Sequence, residues 1–394
     1  MEVKQLATLM NTVTSEVLGK ENLVAENLDN IVDVGTEIFN ANAVDAYVKS
    51  LVNHIGKVIF VDRIYQGGAP SVIMDGWEFG SILEKITSTE LPEAVENDSW
   101  QLEDGHSYDP HVFHAPHVAA KFFNKKITFE IEMSFAERQV KQSFSSVTQL
   151  NGFVSMIQTS VENSMTIKID SLVQRTINKA IFDTIIDDYT SGGVMTDVTQ
   201  ASGIKAVNLL YLYNQKMASL DSGWTNLTAV QAVTDPGFIR FAAYTMGLYA
   251  DRLTRLSTLF NIGGLERFTP ESARHTILLS EFRRAADVYL QSDTFHDEYT
   301  KLINSEVVPY WQGSGTQYAF ADTSTIKVTK DNETVTFSGI LGIMFDRNAL
   351  GVANLDRRVT TSWNPKGEFF NNFYKFDAGY FVDGNENTVV FFVA

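Results

Sequence analysis

Apolar residues recur along Ser146 to Asp187 at three- and four-residue steps: Leu150, Phe153, Val154, Ile157, Val161, Met165, Ile169, Leu172 and Val173. That spacing puts them on one stripe of a single helix. Ser146 and Gln149 have the spacing of a capping box at its start, and Gly192-Gly193 marks its end. About 40 residues at ~1.5 Å each predict a rod of roughly 60 Å. An ordinary globular helix has roughly 10–14 residues. Gly152 lies early in the rod, and Asp183, Asp187 and Asp188 crowd the end where the helix dipole disfavours anions. A rod of this length needs sheet and loop laid against it.

Upstream, residues 1–56 are polar and acidic, with two short helical stripes. One is Leu6, Leu9, Met10 and Val13; the other is Val44, Tyr47, Val48, Leu51 and Val52. They read as an arm that packs on something else. Val58–Val61, Ser71–Asp75 and Gly80–Thr89 have strand character, broken by the Gly67-Gly68-Ala69-Pro70 turn. Segment 91–110 holds Glu93, Glu96, Asp98, Glu103, Asp104 and Asp109 and no Lys or Arg. Lys121, Lys125 and Lys126 follow, ahead of Ile127–Phe135, where apolar and polar residues alternate as in a half-exposed strand. The sequence thus predicts a long two-stranded projection. Such a hairpin is marginal in water by itself, so another molecule or a neighbouring part of this one is expected to hold it.

Downstream of the rod, residues 194–346 read as an α/β layer with its own core. Helices are predicted at Ile204–Lys216, from Gly237 to about Ser257 behind Asp235-Pro236, at Glu281–Leu290 and at Phe295–Ile303. Strands are predicted at His275–Leu279 and Ile340–Phe345, with a hairpin of Ile326–Val328 and Thr334–Phe337. In the tail, Arg357–Thr361, Phe369–Phe381 and Val389–Val393 predict a small antiparallel sheet that covers one face of the rod.

Composition narrows the function more than the fold. The chain has 394 residues, 44% apolar and 20% charged, an ordinary globular balance. A net charge of −17 disfavours an extended basic face for DNA and binding to anionic membranes. The absence of cysteine excludes disulfides, thiolate metal sites and a cysteine nucleophile. There is no signal-peptide pattern at Met1 and no apolar run of the ~18 residues a membrane span needs. A soluble, cytoplasmic setting is expected, without a large removed pro-segment.

Little in the sequence points to chemistry. His106, His111, His114 and His117 crowd together beside Asp104 and Asp109, but their spacing fits no known ligand set, and a polar interface loop is the favoured reading. No phosphate loop, nucleophile elbow or zinc-protease motif is present. Asp383-Gly384-Asn385-Glu386-Asn387 lacks the spacing of a calcium loop and reads as a β-turn. No catalytic residue, cofactor site or metal site is assigned. The compact basic pairs are Lys125-Lys126 and Arg357-Arg358. They read either as surface charges on strands or as partners for an acidic stretch such as 91–110, a pairing that would set register between copies.

The order of parts, together with certain patches, carries a resemblance. The patches are Asp75–Leu83, Pro92–Trp100, Phe345–Gly351 and Arg357–Thr361 with Asn364-Pro365. The chain resembles tailed-phage major capsid proteins of the Hong Kong 97-type fold. The resemblance implies an α+β fold with an N-terminal arm (1–56), peripheral-domain strands (57–79) and an extended loop (80–140). A spine helix (141–193), an axial domain (194–346) and a returning peripheral sheet (347–394) complete it. It implies a structural subunit, not an enzyme, that closes through hexamers and pentamers into a virion capsid around double-stranded DNA. Assembly would take place in the host cytoplasm. The expected partners are identical subunits, a portal, a scaffold and decoration proteins. Glu93, Glu96, Asp98, Trp100, Lys125, Lys126, Arg357 and Arg358 are the candidate subunit-interface residues. The alternatives are an encapsulin-like shell with enzyme cargo, and an unrecognised hydrolase.

Overall fold

The computed structural model describes residues 69–74, 83–88, 118–136, 147–191, 194–291, 302–312, 319–330 and 333–394, with isolated residues between 11 and 117. The expected arm, apart from Asn11 and Ser15, and the Val58–Val61 strand lie outside these residues. So does the greater part of the Phe295–Ile303 helix.

The predicted rod is one continuous helix, α1, Val147–Tyr189. The chain divides into two compact units, and α1 runs through both. One unit comprises residues 1–65, 130–165 and 358–375; the other comprises 66–129, 166–357 and 376–394. In the second unit α1 is buried on nearly every side, by Leu172, Val173, Ile177, Ala180, Ile181, Phe182 and Ile185. Even its polar positions there are covered. Thr176 and Thr184 turn their hydroxyls back onto the carbonyls of Leu172 and Ala180, each at 2.8 Å, and so satisfy themselves within the helix.

The carboxylates at the C-terminal end of α1 are individually answered. Lys179 Nζ lies 2.6 Å from Asp183 Oδ2, one turn away. Lys205 Nζ reaches Asp187 at 2.6 Å and Asp188 at 3.1 Å. The backbone N–H groups of Lys205 and Ala206 donate to Asp188 Oδ2 at 2.5 and 2.7 Å. Burial pushes the Lys205 ammonium pKa down, but the two aspartates outweigh it and hold the pKa above its ordinary value. The unfavourable helix-end charge therefore becomes the clamp between α1 and the strand that follows.

The core of this unit is a five-stranded sheet. Its strands are β7 (Ala206–Asn208), β8 (Arg274–Leu279), β9 (Glu306–Val308), β12 (Ile340–Asp346) and β15 (Thr388–Phe392). They lie in the order β7-β15-β12-β8-β9. β12 and β15 are buried at every position, which suits central strands covered on both faces. Phe182 and Tyr189 of α1 meet Phe337 and Phe392 at ring separations of 5.9 and 6.0 Å. Three helices pack around the sheet: α2 (Leu209–Leu220), α3 (Pro236–Leu253) and α4 (Ser280–Gln291). Asp235 caps α3 by accepting from Phe238 N at 2.7 Å, with Pro236 at the first turn. The hairpin β10 (Ile326–Lys330) with β11 (Glu333–Phe337) forms as predicted. Gly339 follows at φ 80°, and a side chain there would run into the Val393 carbonyl.

Two expectations are corrected. The last strand does not join a returning sheet: β15 pairs with β12 and β7. A run apolar at every position is better covered on two faces than laid on a half-exposed sheet. The other sheet has the order β1-β13-β14-β4, from Ile73–Met74, Leu350–Asn364, Phe369–Val382 and Lys126–Ala136. β4 is thus a member of this sheet and not an arm of the projection. The projection is instead rooted by β2 (Leu83–Ser88) and β3 (Val118–Phe123). β3 was hidden from the sequence reading because its residues, Val-Ala-Ala-Lys-Phe-Phe, do not alternate. A pair of two-residue strands, β5 (Thr190–Ser191) and β6 (Val194–Met195), follows α1.

Ile181 has no exposure and lies midway along the buried half of α1. Ile181→Ala is expected to lower unfolding stability by about 2–5 kcal/mol, measured by urea titration.

Candidate assembly surface

β2 and β3 pair in antiparallel register from Leu83↔Phe123 to Ser88↔Val118. Alternation then sorts their side chains. One face carries Leu83, Lys85, Thr87, Ala119, Lys121 and Phe123; the other carries Glu84, Ile86, Ser88, Val118, Ala120 and Phe122. The face with both lysines is the one held against the body. On the opposite face Ile86, Phe122 and Val118 are 65%, 62% and 61% exposed. Leu83 and Phe123 on the lysine face are half-buried, Phe123 lying 5.0 Å from the Phe381 ring, so the hairpin differs from a self-sufficient one in leaving three further apolar residues outside while two lysines turn in.

The lysines have a specific seat. Lys85 Nζ lies 2.7 Å from Asp383 Oδ2 and 2.6 Å from Glu386 Oε1. Lys121 Nζ lies 2.8 Å from the other Asp383 oxygen. Arg267 Nε is 3.7 Å from Glu386 Oε2, and its Nη1 donates to the Ser88 carbonyl at 2.9 Å. The turn after β14 presents these carboxylates. Asp383 N–H donates to the Ala349 carbonyl at 2.6 Å, and Asn385 N–H donates to Asp383 Oδ1 at 3.1 Å. The N–H groups of Ile262 and Gly263 both donate to the Gly384 carbonyl. The turn thus serves as a receptor for lysines. Burial alone would raise the Asp383 pKa; the hydrogen bonds from Lys121 and Lys85 outweigh it and hold the carboxyl below its ordinary value.

The residues singled out from sequence are scattered. Lys126 Nζ stands 3.8 Å from Asp377 Oδ2. Lys125 lines a cleft beside α1, and its carbonyl accepts from Tyr380 N–H at 3.1 Å. Arg357 reaches the Asn354 amide oxygen at 3.0 and 3.1 Å once that amide is oriented with its oxygen toward the guanidinium. Arg358 is exposed on β13. The two basic pairs do not converge, because β14 lies between β13 and β4. Glu96 is exposed, while Glu93, Asp98 and Trp100 lie outside the described residues. His111, His114 and His117 are exposed, and among the described residues no group of three possible ligands could hold a metal. Sequence reasoning missed Lys85, Arg267, Asp383 and Glu386 as a set. About 300 residues separate Lys85 from Asp383 and Glu386, and the only local signal was one lysine in each strand, Lys85 and Lys121, among apolar neighbours.

Residues 10–392 match the Phi29-like phage major capsid protein family. The chain belongs to that family. This capsid protein is also similar in fold to a chain in the structure of head fiber and inner core protein gp22 of native bacteriophage P68. That likeness has TM-score 0.50 at 8% identity and covers 86% of this chain and 88% of the other. A capsid chain of cyanophage P-SCSP1u matches at TM-score 0.48 and 12% identity, over 86% and 91%. One of Staphylococcus phage Andhra matches at 0.46 and 8%, over 86% and 87%. No curated protein sequence matches the chain. The α+β architecture is the Hong Kong 97-type capsid fold. No described helix of this capsid protein is long and apolar enough to cross a membrane.

A carboxyl whose folded pKa lies below its unfolded value stabilises the fold above that unfolded value, and the contribution is lost as pH falls through the folded one. The Asp383 tie is therefore expected to hold at neutral pH and to open only in acid, as pH falls below the ordinary aspartate range. Asp383→Asn should loosen it at neutral pH, where the carboxylate is ionised, at a cost of about 2–3 kcal/mol. That is less than for a fully buried pair, because Lys121 reaches solvent. Amide hydrogen exchange of 83–88 and 118–123 measures both effects.

Proposed function

We propose that this major capsid protein closes through hexamers and pentamers into the head shell of a tailed phage, around double-stranded DNA, with assembly in the host cytoplasm. The observation that carries the reading is the β2–β3 hairpin: Lys85 and Lys121 tie one face to its own chain, and Ile86, Val118 and Phe122 on the other face are bare. Bare apolar area of this kind marks a contact surface, and an identical neighbour supplies the cover. Heterologous contacts of this sort generate rings when the rotation closes.

In this reading residues 1–56 form an arm, 80–140 an extended loop over a neighbour, 141–193 the spine and 194–346 the axial domain. Segments 57–79 and 347–382 supply the peripheral sheet. Glu93, Glu96, Asp98, Trp100, Lys125, Lys126, Arg357 and Arg358 are proposed to lie at subunit contacts. A portal and a scaffold protein are proposed as partners in building the head, with decoration proteins added outside. The charge of −17 suits a container that holds DNA without gripping it.

Purified wild-type protein, alone or with a scaffold partner, is expected to form closed shells or hexamer-sized rings visible by electron microscopy. The pair of changes Ile86→Glu and Phe122→Glu should abolish them and leave the circular dichroism spectrum and unfolding midpoint unchanged. Intact shells from that variant would remove the hairpin from the assembly contact.

A further inference from the structure

An open cleft of about 600 Å³ runs beside α1, between the β10–β11 hairpin and β14. Its lining holds four cations, Lys125, Arg175, Lys179 and Lys327, and no carboxylate. Asp and Glu outnumber Lys and Arg by 48 to 31 in this chain, so an acid-free basic cleft runs against its composition. Lys179 is already paired with Asp183 at 2.6 Å. Lys125, Arg175 and Lys327 have no ion-pair partner among the described residues. Arg175 is held with its guanidinium 5.3 Å from the centre of the Tyr380 ring.

A second observation refines the occupant. Asn178 lines the same cleft and is 4% exposed. Its Nδ2 donates to the Trp311 carbonyl at 3.0 Å, but its buried Oδ1 has no partner. The cleft thus asks for anionic oxygens at three cations and for one N–H or O–H at Asn178. An acidic peptide supplies both, carboxylates from its side chains and an N–H from its backbone.

This chain contains such a peptide. Segment 91–110 has six carboxylates and no Lys or Arg, and its described members Glu96 and Asp104 are exposed. It lies within the 29 residues from Thr89 to His117 that join β2 to β3. Doubled back, that length reaches at most about 50 Å from its root, at roughly 3.3 Å per residue. We propose that the cleft receives the acidic segment 91–110 of a neighbouring copy. The inference rests on the assembly reading above and adds the receptor for the loop. Opposite charges across this contact would speed and register association, and salt would weaken it.

Charge exchange tests it. Lys125→Glu with Lys327→Glu is expected to cut shell yield at least tenfold, and so is Glu93→Lys with Asp98→Lys, with the unfolding midpoint unchanged. All four changes in one chain should restore shells. Normal shells from the cleft variant, or no rescue by the fourfold variant, would overturn the pairing. Failure of the wild type to form any shell would instead overturn the assembly reading. A binding measurement covers variants that fold poorly. A synthetic 91–110 peptide should bind the assembly-blocked Ile86→Glu, Phe122→Glu protein, and this binding should be lost when Lys125→Glu and Lys327→Glu are added. Absence of binding, or displacement by an equal concentration of inorganic phosphate, would also overturn the proposal.

Discussion

The burial of α1 between Leu172 and Tyr189 is the constraint on which the second unit rests. A helix covered on nearly every side cannot shift or rotate without opening several packing contacts together. Its end is fixed by Lys205, which takes Asp187 and Asp188 at once, and by two backbone N–H groups on Asp188. From there the chain enters β7 and the five-stranded sheet. The sheet in turn takes β15 from the far end of the sequence, so the unit is closed by contacts between residues nearly 200 positions apart.

The turn that leads into β15 also holds the hairpin. Asp383 and Glu386 stand between β14 and β15, two strands whose places are set by the cores they fill. They meet two lysines from the hairpin and Arg267 from the loop after α3. Packing thus supplies a rigid platform, and electrostatics fastens a protruding element to it. Ile86, Val118 and Phe122 remain available on the outer face, while Lys85 and Lys121 are used inward.

The sequence showed some of this clearly. The spine was legible over almost its full length because its apolar residues keep helical spacing. Asp235-Pro236, the β10–β11 hairpin and the alternating β4 were legible for similarly local reasons. The stripe reading fell short beyond Val173. There burial spreads around the whole helix, and Thr176 and Thr184 are covered despite their hydroxyls. β3 and the sheet membership of β15 depend on partners far away in the chain, and no periodicity records a partner. The lysine seat was illegible for the same reason. Lys85 and Asp383 are unremarkable residues until the fold brings them to 2.7 Å. The basic pairs that looked prominent turn out to lie apart, Lys125-Lys126 at the start of β4 and Arg357-Arg358 on β13.

A ribbon that wears its oily side outward also starts a clock on every newly made copy. The longer such a molecule drifts alone, the more chances it has to clump with a wrong partner. Productive enclosure must therefore outrun precipitation, and the rate of synthesis in the cell favours both contestants.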